Sequence, residues 1–445
     1  MKVAFYLDNS GIQGVDLRYP EKGNPGIGGT EYMIVMIASQ LGKRYSDLME
    51  VSILAPNIGR LPTACRVRHA ASFQEAVEQA ARDSIDIFIF YLTKPGTVRA
   101  EHIAALESYP TLKGIAWAHN SLLAEDWDLL ERSKSIAAVV NVGREQLDFY
   151  RDHPLFYKST VINNCLCPSA FDHTISAPTT NNRVVYVGSL VETKGFHLLA
   201  RAWRRIVAQV PHAELHVVGS GRLYGRDKKL GSWGIAAAAF EEKFMPYLLD
   251  ENGSLLPSVT FHGILGAEKR EILASAAVGV ANPSGDTETF CISAVEFQAH
   301  RVAVVSAREG GLLDTIQHKK TGLLCRNQEE LISNVVRLLK DVRLRRKLGE
   351  AAYAFARAHF QANRVAPEWY RLLVAVEENQ PLPEIAMKPN IFYRKKLMKE
   401  IVRRLKRVIP ILKHLQPIRD CRLRSLPRRV RFILSRAIAN NSNPH

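Results

Sequence analysis

The sequence has no hydrophobic run long enough to cross a membrane. Its longest apolar candidate, Ile87–Leu92, has the length of one buried strand, whereas a spanning helix needs about 20 apolar residues. The first seven residues are followed at once by Asp8 and lack the basic-then-apolar pattern of an export signal. We therefore expect a cytoplasmic protein whose chain begins with a strand.

Cysteine is scarce and scattered. Of the six cysteines in 445 residues, only Cys165 and Cys167 are close in sequence. This distribution matches neither a disulfide framework nor a set of metal ligands. We expect reduced thiols and no bound metal.

Positive charge is concentrated at the end of the chain. Residues 391–445 hold 16 Lys and Arg against Glu400 and Asp420, which is +14 of the net charge of +16. Apolar residues recur there at helical spacing, with cations over much of the remaining surface. The apolar positions are Leu397, Ile401, Leu405, Val408, Leu412 and Leu415.

This tail predicts a basic amphipathic helix, which fits three kinds of partner. Such a helix can lie on an anionic membrane, pack on the protein's own body, or bind nucleic acid in a salt-dependent way. We favour an anionic membrane surface, bound through residues 391–438 on the inner face of the cytoplasmic membrane, and regard nucleic acid as the weakest of the three.

The rest of the chain predicts two α/β units. Apolar strands alternate with helical or loop stretches, which is typical of parallel doubly wound sheets, and the length suffices for two such domains. A stretch rich in Ser, Pro, Thr and Asn separates the two series at residues 168–182. The predicted strands are 2–7, 51–55, 85–91, 114–117 and 137–142, then 184–188, 215–219, 259–263, 278–281 and 302–306.

Several polar or glycine positions follow directly after predicted strands, where open α/β sheets bind ligands. Gly28 and Gly29 lie between a strand and a helix, and His119 follows the strand at 114–117. Gly188 ends another strand, and Lys194 precedes a helix, where its charge would add to the helix dipole. These residues are candidates for binding a phosphorylated ligand.

The stretch 282–296 carries the strongest signal. Glu288 and Glu296 lie eight positions apart across a loop that is expected to enter a helix near Phe290, which puts Glu296 about two turns along it. The free N–H groups of Phe290, Cys291 and Ile292 at the helix start could hold an anion. Because carboxylates accept hydrogen bonds from hydroxyls, the combination suits a phosphorylated polyol.

The spacing of Glu288 and Glu296 resembles the Glu-x7-Glu motif of the retaining family 4 glycosyltransferases, of glycosyl transferases group 1. The resemblance covers about residues 1–376. It implies the GT-B fold, with two Rossmann-like domains facing across a cleft. It also implies a metal-independent, retaining hexosyltransferase that needs no cofactor and takes a nucleotide diphosphate sugar as substrate. The acceptor would be a carbohydrate or a lipid-linked glycan, as in cell-envelope or exopolysaccharide assembly.

The resemblance also implies roles for individual residues. Glu288 would contact the donor sugar and Glu296 the nucleotide ribose, while His119 would face the reacting sugar. Gly28 and Gly29 would face the donor diphosphate, which Gly188 and Lys194 would also approach. The chain departs from the family at two places, with Ser189 where arginine is common and Cys291 where glycine is usual.

The sequence predicts an acceptor-side domain, a donor domain and a basic tail. The expected boundaries are 1–168 and 183–360 for the two domains, 169–182 and 379–390 for linkers, 361–378 for a helix returning to the first domain, and 391–445 for the tail. Two other functions are compatible with the sequence, namely a non-catalytic scaffold that binds sugar nucleotides or membranes, and nucleic acid binding through the tail.

Overall fold

A computed structural model describes residues 1–92, 100–151, 153–172 and 181–383, together with residues 401, 405, 408 and 409. The chain divides into a large unit, Met1–Lys388, and a second unit, Pro389–His445. Apart from those four residues, the predicted amphipathic tail lies outside the described residues.

The first part of the large unit is a sheet of seven strands, all paired in parallel, in the order β3-β2-β1-β4-β5-β6-β7. The strands are β1 Lys2–Tyr6, β2 Glu50–Ala55, β3 Arg66–His69, β4 Ile87–Leu92, β5 Lys113–Ala118, β6 Ile136–Asn141 and β7 Ser159–Val161. The helices among them are α1 Gly29–Arg44, α2 Phe73–Arg82, α3 Ala100–Glu107, α4 Ala124–Arg132 and α5 Arg144–Phe149.

The second part is a sheet of six parallel strands in the order β10-β9-β8-β11-β12-β13. The strands are β8 Arg183–Val187, β9 Glu214–Val218, β10 Val259–Gly263, β11 Val278–Val280, β12 Val304–Ala307 and β13 Gly322–Cys325. The helices are α6 Phe196–Gln209, α7 Ala238–Phe244, α8 Lys269–Ala274, α9 Ile292–Ala299, α10 Leu312–Thr315, α11 Gln328–Lys340, α12 Val342–His359 and α13 Ala362–Glu377.

Both sheets are doubly wound, which confirms the predicted architecture. In each, the chain builds outward from a central strand, then crosses to the other side of that strand and builds outward again. The crossing points lie between β1 and β4 and between β8 and β11. Ligands of open α/β sheets bind outside the carboxyl ends of the strands at such points. We refer to the two parts as the first and second lobes; their predicted boundaries remain predictions.

The helix α13 returns the end of the large unit to the first lobe. Trp369 is fully buried, and its ring lies 4.5 Å from the ring of Trp117 in β5, measured between centroids. It shares one hydrophobic core with residues of β1, β5 and α1, such as Phe5. An amphipathic helix is stable mainly through such packing, which explains how α13 accommodates Pro367 inside it.

Residues 328–359 form two helices joined at Asp341. Asp341 ends α11, and its side chain accepts a hydrogen bond from the backbone N–H of Leu344 at 2.9 Å. An aspartate in this position caps the start of the next helix and so competes with helix continuation.

Within the described residues, no helix is both long and apolar enough to cross a membrane.

Candidate active site

A cavity of about 810 Å³ lies between the two lobes. Residues that follow β1, β5, β8 and β11 line it, so the strand ends of both sheets face the same space. Every residue predicted for the site contributes to its lining. These are Gly28, Gly29, His119, Gly188, Lys194, Glu288, Phe290, Cys291, Ile292 and Glu296.

Glu288 is held in the cavity wall by two side chains of the second lobe. Its Oε2 accepts a hydrogen bond from Lys194 Nζ at 2.8 Å and another from Asn282 Nδ2 at 2.7 Å. Asn282 is itself fixed, because its Oδ1 accepts a hydrogen bond from Ser284 Oγ at 2.9 Å. The carboxylate therefore has a defined orientation.

Lys194 and Glu288 are a buried ion pair in which both groups are charged. Burial opposes ionisation of Glu288, but Lys194 together with hydrogen bonds from Asn282 and the Phe290 backbone holds the pKa of the carboxyl below its usual value. Burial would likewise lower the pKa of Lys194, but the charge of Glu288 outweighs it and raises that pKa.

Glu296 forms a second ion pair in the same cavity. Its Oε1 lies 2.6 Å from Nζ of Lys269, at the start of α8, and both side chains are less than 15% exposed. Each glutamate of the predicted motif is thus neutralised by its own lysine.

The loop that carries Glu288 enters α9 through a left-handed residue. Cys291 has φ 71° and ψ 74°, a conformation that favours glycine because a Cβ crowds the backbone. The helix consequently begins at Ile292, not at Phe290, and Glu296 lies about one turn into it. This corrects the expected distance of two turns.

The anion site predicted at this helix start is smaller than expected. The N–H of Phe290 is hydrogen-bonded to the Glu288 carboxylate, and the Phe290 ring packs at 5.2 Å on that of Phe360. Cys291 and Ile292 also line the cavity, and in the described part of the chain their N–H groups have no hydrogen-bond acceptor. Two of the three predicted donors therefore remain available.

Lys194 ends a short turn instead of lying at the mouth of α6. The turn spans Glu192–Lys194, and Gly195 follows in the left-handed region at φ 73° before α6 begins at Phe196. A Cβ at Gly195 would lie 2.5 Å from the backbone nitrogen of Ser284. Glycine here lets the turn approach the loop that carries Glu288, which brings the two charged groups together.

His119 lies directly after β5 and is 6% exposed. Its ring packs 4.5 Å from the ring of Trp117, and its Nε2 has no hydrogen-bond partner among the described residues. Burial lowers the pKa of His119 to about 3, so the imidazole is neutral at physiological pH. His119 thus borders the cavity as a neutral imidazole whose Nε2 is buried.

Two polar contacts join the lobes beside this site. Thr289 Oγ1 donates a hydrogen bond to the backbone oxygen of His119 at 2.7 Å. Arg144, at the start of α5, lies 2.6 Å from Asp314 of α10 through its Nε, and its backbone N–H donates to the same carboxylate at 2.8 Å. The loop that carries Glu288 is thereby fixed against the strand end that carries His119.

The glycines of the first lobe allow a close approach of the lobes. Gly29 is the first residue of α1, and a Cβ on it would lie 3.0 Å from Cδ1 of Ile292 in the second lobe. Across the cavity, Ser189 is buried and donates a hydrogen bond to the carbonyl of Ser220 at 3.3 Å. Ser189 thus adds no positive charge to the wall.

Several lining residues were not predicted from the sequence. Lys269, Asn282 and Asn164 line the cavity, as do Asp8 and Glu31 of the first lobe. Their signal was weak, because single polar residues in loops or at helix starts occur throughout any soluble protein. Asn282 belonged to the stretch 282–296, and its position six residues before Glu288 was the usable clue.

The described residues contain no group of three or more His, Cys, Asp or Glu side chains placed to hold a metal ion.

Comparison with known proteins relates part of this chain to a family. Residues 181–341 match the family model of glycosyl transferases group 1. The N-acetyl-alpha-D-glucosaminyl L-malate synthase of Bacillus anthracis is 21% identical over 398 residues, which cover 79% of this chain and 93% of that protein.

Solved structures share the fold over most of the chain. Sucrose-phosphate synthase from Thermosynechococcus elongatus aligns with a TM-score of 0.63 and 18% identity, covering 84% of this chain and 99% of its own. Anabaena HepE, solved in complex with UDP, aligns with a TM-score of 0.63 and 17% identity over 84% and 100% of the two chains.

The two facing doubly wound lobes are the GT-B architecture, as the sequence predicted. The match of residues 181–341 to glycosyl transferases group 1 supports, within that fold, a glycosyltransferase that takes its sugar from a nucleotide sugar.

Proposed function

We propose that the protein is a retaining hexosyltransferase in which Glu288 orients the donor sugar and Glu296 the ribose of the nucleotide. The observation that carries the proposal is the pair of ion pairs, Lys194 with Glu288 and Lys269 with Glu296, in one cavity. Each carboxylate is held in position by its lysine. It can therefore accept hydrogen bonds from sugar hydroxyls without reorganising.

The proposed reaction breaks the bond between the anomeric carbon and the diphosphate oxygen. A new bond forms between that carbon and an acceptor hydroxyl on the same face of the sugar, and the departing diphosphate takes up the hydroxyl proton. Lys194 and the N–H groups of Cys291 and Ile292 would stabilise the negative charge that grows on the leaving group. His119 would bind a hydroxyl of the reacting sugar as a neutral acceptor or donor.

The wall of the first lobe supports a hydroxyl-rich acceptor. Asp8, Glu31, Tyr91, Asn120 and Asn164 line the cavity on that side. Carboxylates and amides bind hydroxyl groups well, whereas an apolar acceptor would need an apolar wall. We infer a carbohydrate or the glycan portion of a lipid-linked acceptor, as in cell-envelope or exopolysaccharide assembly.

Donor turnover tests the proposal directly. Purified protein is incubated with UDP-glucose, UDP-N-acetylglucosamine, GDP-mannose and ADP-glucose, first alone and then with oligosaccharide acceptors, and release of the nucleoside diphosphate is measured. The UDP sugars come first because HepE was solved with UDP. NMR of the product gives the anomeric configuration, and inversion would contradict the retaining mechanism.

We further propose that the reaction needs neither a cofactor nor a metal, since lysines and backbone N–H groups can neutralise the leaving group. Turnover is then expected to be unchanged after treatment with EDTA. A protein that binds a sugar nucleotide but releases nothing under any condition would instead be a non-catalytic scaffold.

We propose that the basic tail binds the enzyme to an anionic membrane, so that a lipid-linked acceptor is met at the surface. Its support is the charge of residues 391–445 and the helical spacing of their apolar positions. Co-sedimentation with phosphatidylglycerol vesicles, compared for the full chain and for a chain ending at Lys388, tests this. A salt-titrated RNA shift assay on the same two proteins tests the nucleic acid alternative.

A further inference from the structure

Two of the three lysines that line the cavity are paired with carboxylates of the described residues, and the third is not. Lys194 and Lys269 are occupied by Glu288 and Glu296, at 2.8 Å and 2.6 Å. Lys228 also lines the cavity, and it is the one cation of the lining for which the described residues provide no carboxylate within ion-pair distance. A dianionic diphosphate therefore finds one uncompensated positive charge in the wall.

Lys228 belongs to the segment 219–237, which connects β9 to α7 and contributes to the cavity wall. Tyr224 and Gly225 of the same segment also line the cavity, as does Lys194. The segment therefore faces the part of the cavity where the leaving group is expected.

Two contacts hold Lys228 itself, and a third holds its segment. Arg222 Nε donates a hydrogen bond to the backbone oxygen of Lys228 at 2.8 Å. The stem of Lys228 lies against Gly225, where an added Cβ would be only 3.1 Å from the lysine Cε. Arg226 Nη2 donates to the carbonyl of Gly26 in the first lobe at 2.6 Å, which ties the segment across the cleft. The backbone and stem of Lys228 are thus held on a segment bound to both lobes, and within the described part of the chain its ammonium is free to meet an anion.

The opposite wall cannot supply the missing charge. Asp8 and Glu31 line the first-lobe side. Both are carboxyl groups, and burial, with a smaller contribution from the carboxylate of Asp8, raises the pKa of Glu31. Electrostatics therefore favours the diphosphate on the second-lobe side, next to Lys228.

We propose that Lys228 binds the diphosphate of the nucleotide-sugar donor and adds the second positive charge that Ser189 does not provide. The inference rests on the proposed nucleotide-sugar donor. It assigns to the 219–237 segment a direct part in donor binding, in addition to the residues of the Glu288 to Glu296 stretch.

The test compares three variants of the full chain, Lys228→Met, Lys228→Arg and Lys229→Met. Lys229 is the matched control, because it is an exposed cation on the same segment that does not line the cavity. Isothermal titration calorimetry measures binding of UDP, GDP and ADP and of the matching monophosphates, and thermal unfolding checks that each variant is folded.

We expect Lys228→Met to weaken binding of the preferred diphosphate by about tenfold, and the monophosphate by less than about threefold, because a charge contact to the second phosphate is lost. Lys228→Arg and Lys229→Met should stay within about twofold of the wild type, and the loss should shrink at high salt. Unchanged diphosphate affinity in Lys228→Met would overturn the inference, as would an equal loss in Lys229→Met.

The result also separates this inference from the proposed function. If the wild type turns over a donor and Lys228→Met binds its diphosphate normally, only the role of Lys228 is wrong. If the wild type binds no nucleoside diphosphate and releases none from any sugar nucleotide, the proposed function fails first and the inference falls with it.

Discussion

The ammonium of Lys194 lies 2.8 Å from the carboxylate of Glu288, although 94 residues separate them in sequence. The sequence predicted one of them for the diphosphate and the other for the sugar, and the structure makes them a single ion pair. A donor that binds beside this pair places its phosphate near the cation and its hydroxyls near the anion. When the bond between the sugar and the diphosphate breaks, the anion of the pair would face the positive charge on the sugar. The cation would face the negative charge on the diphosphate.

Replacing Glu288 by glutamine should reduce turnover and stability together. We expect kcat to fall by at least about 100-fold, because the oriented carboxylate is lost. The free energy of unfolding should fall by about 3 kcal/mol, because Lys194 is left buried without its counter-charge.

The double variant Glu288→Gln/Lys194→Met separates these two effects. It should recover most of the lost stability in urea unfolding, since no unpaired charge remains, while turnover stays low. Full turnover in Glu288→Gln would contradict the assignment of the site.

Replacing Lys269 by methionine should act on donor binding. Without the ammonium of Lys269, Glu296 loses its orientation, and its negative charge is left without a partner near the nucleotide. We therefore expect the donor KM to rise about tenfold while kcat changes less than about threefold. Steady-state kinetics with varied donor measures both constants.

Lys243→Met is the matched control for that variant. Lys243 pairs with Glu192 at 2.6 Å on the surface, where both side chains are more than 40% exposed. Exposed pairs contribute little, so neither constant should change. A fall in kcat at constant KM for Lys269→Met would instead place Glu296 in the chemical step.

His119 should make the protein sensitive to mild acid. Burial lowers its pKa to about 3, against an ordinary value of about 6.5 in the unfolded chain. Between those values the unfolded chain binds a proton that the folded protein does not, so stability falls as the pH decreases, by up to about 1.4 kcal/mol per pH unit. His119→Gln should remove this part of the slope.

Urea unfolding between about pH 7 and pH 5 checks the effect as a difference between wild type and variant, so that other titrating groups cancel. Parallel stability curves for the two proteins over this range would show that His119 is protonated normally in the folded state.

Position 291 should favour glycine over alanine because of its left-handed backbone. Its left-handed backbone costs about 1–2 kcal/mol for a residue with a Cβ. Glycine avoids this cost, but its greater freedom in the unfolded chain offsets about 0.5–1 kcal/mol of the gain. We therefore expect Cys291→Gly to be more stable than Cys291→Ala by about 0.5–1 kcal/mol.

The comparison with Cys291→Ala removes the contribution of the thiol, which both variants lack. Urea midpoints at constant slope give the difference. Equal stability of the two variants would mean that the backbone at this position relaxes without strain.

The strands of both lobes were predictable where the sequence marks them with buried apolar residues. In β1, Val3, Ala4 and Phe5 are fully buried, and such runs are typical of parallel sheets covered on both faces. The strand β3, Arg66–His69, was missed because its alternation of charged and apolar residues at the sheet edge gives no such run. Hydrophobic pattern thus detects the sheet interior better than its edge.

The site was predictable only in part, for a different reason. The strand ends and the spacing of Glu288 and Glu296 are local features, and the residues that they predicted line one cavity. The partner of Glu296 could not be found this way, since Lys269 lies 27 positions earlier at the start of a six-residue helix. Ion pairs between residues distant in sequence arise from the tertiary fold. The identity of a single residue therefore does not predict its partner.

The docking of α13 on the first lobe has a consequence for how the chain is made. Trp369 is buried beside Trp117, so the first sheet to emerge from the ribosome lacks part of its interior until nearly the whole large unit has been translated. Until α13 is synthesised, the first lobe exposes the apolar surface around Trp117. Chaperones recognise exposed apolar surface of this kind. A message truncated before α13 would therefore yield an aggregation-prone polypeptide, and the basic tail that follows is added to an already completed body.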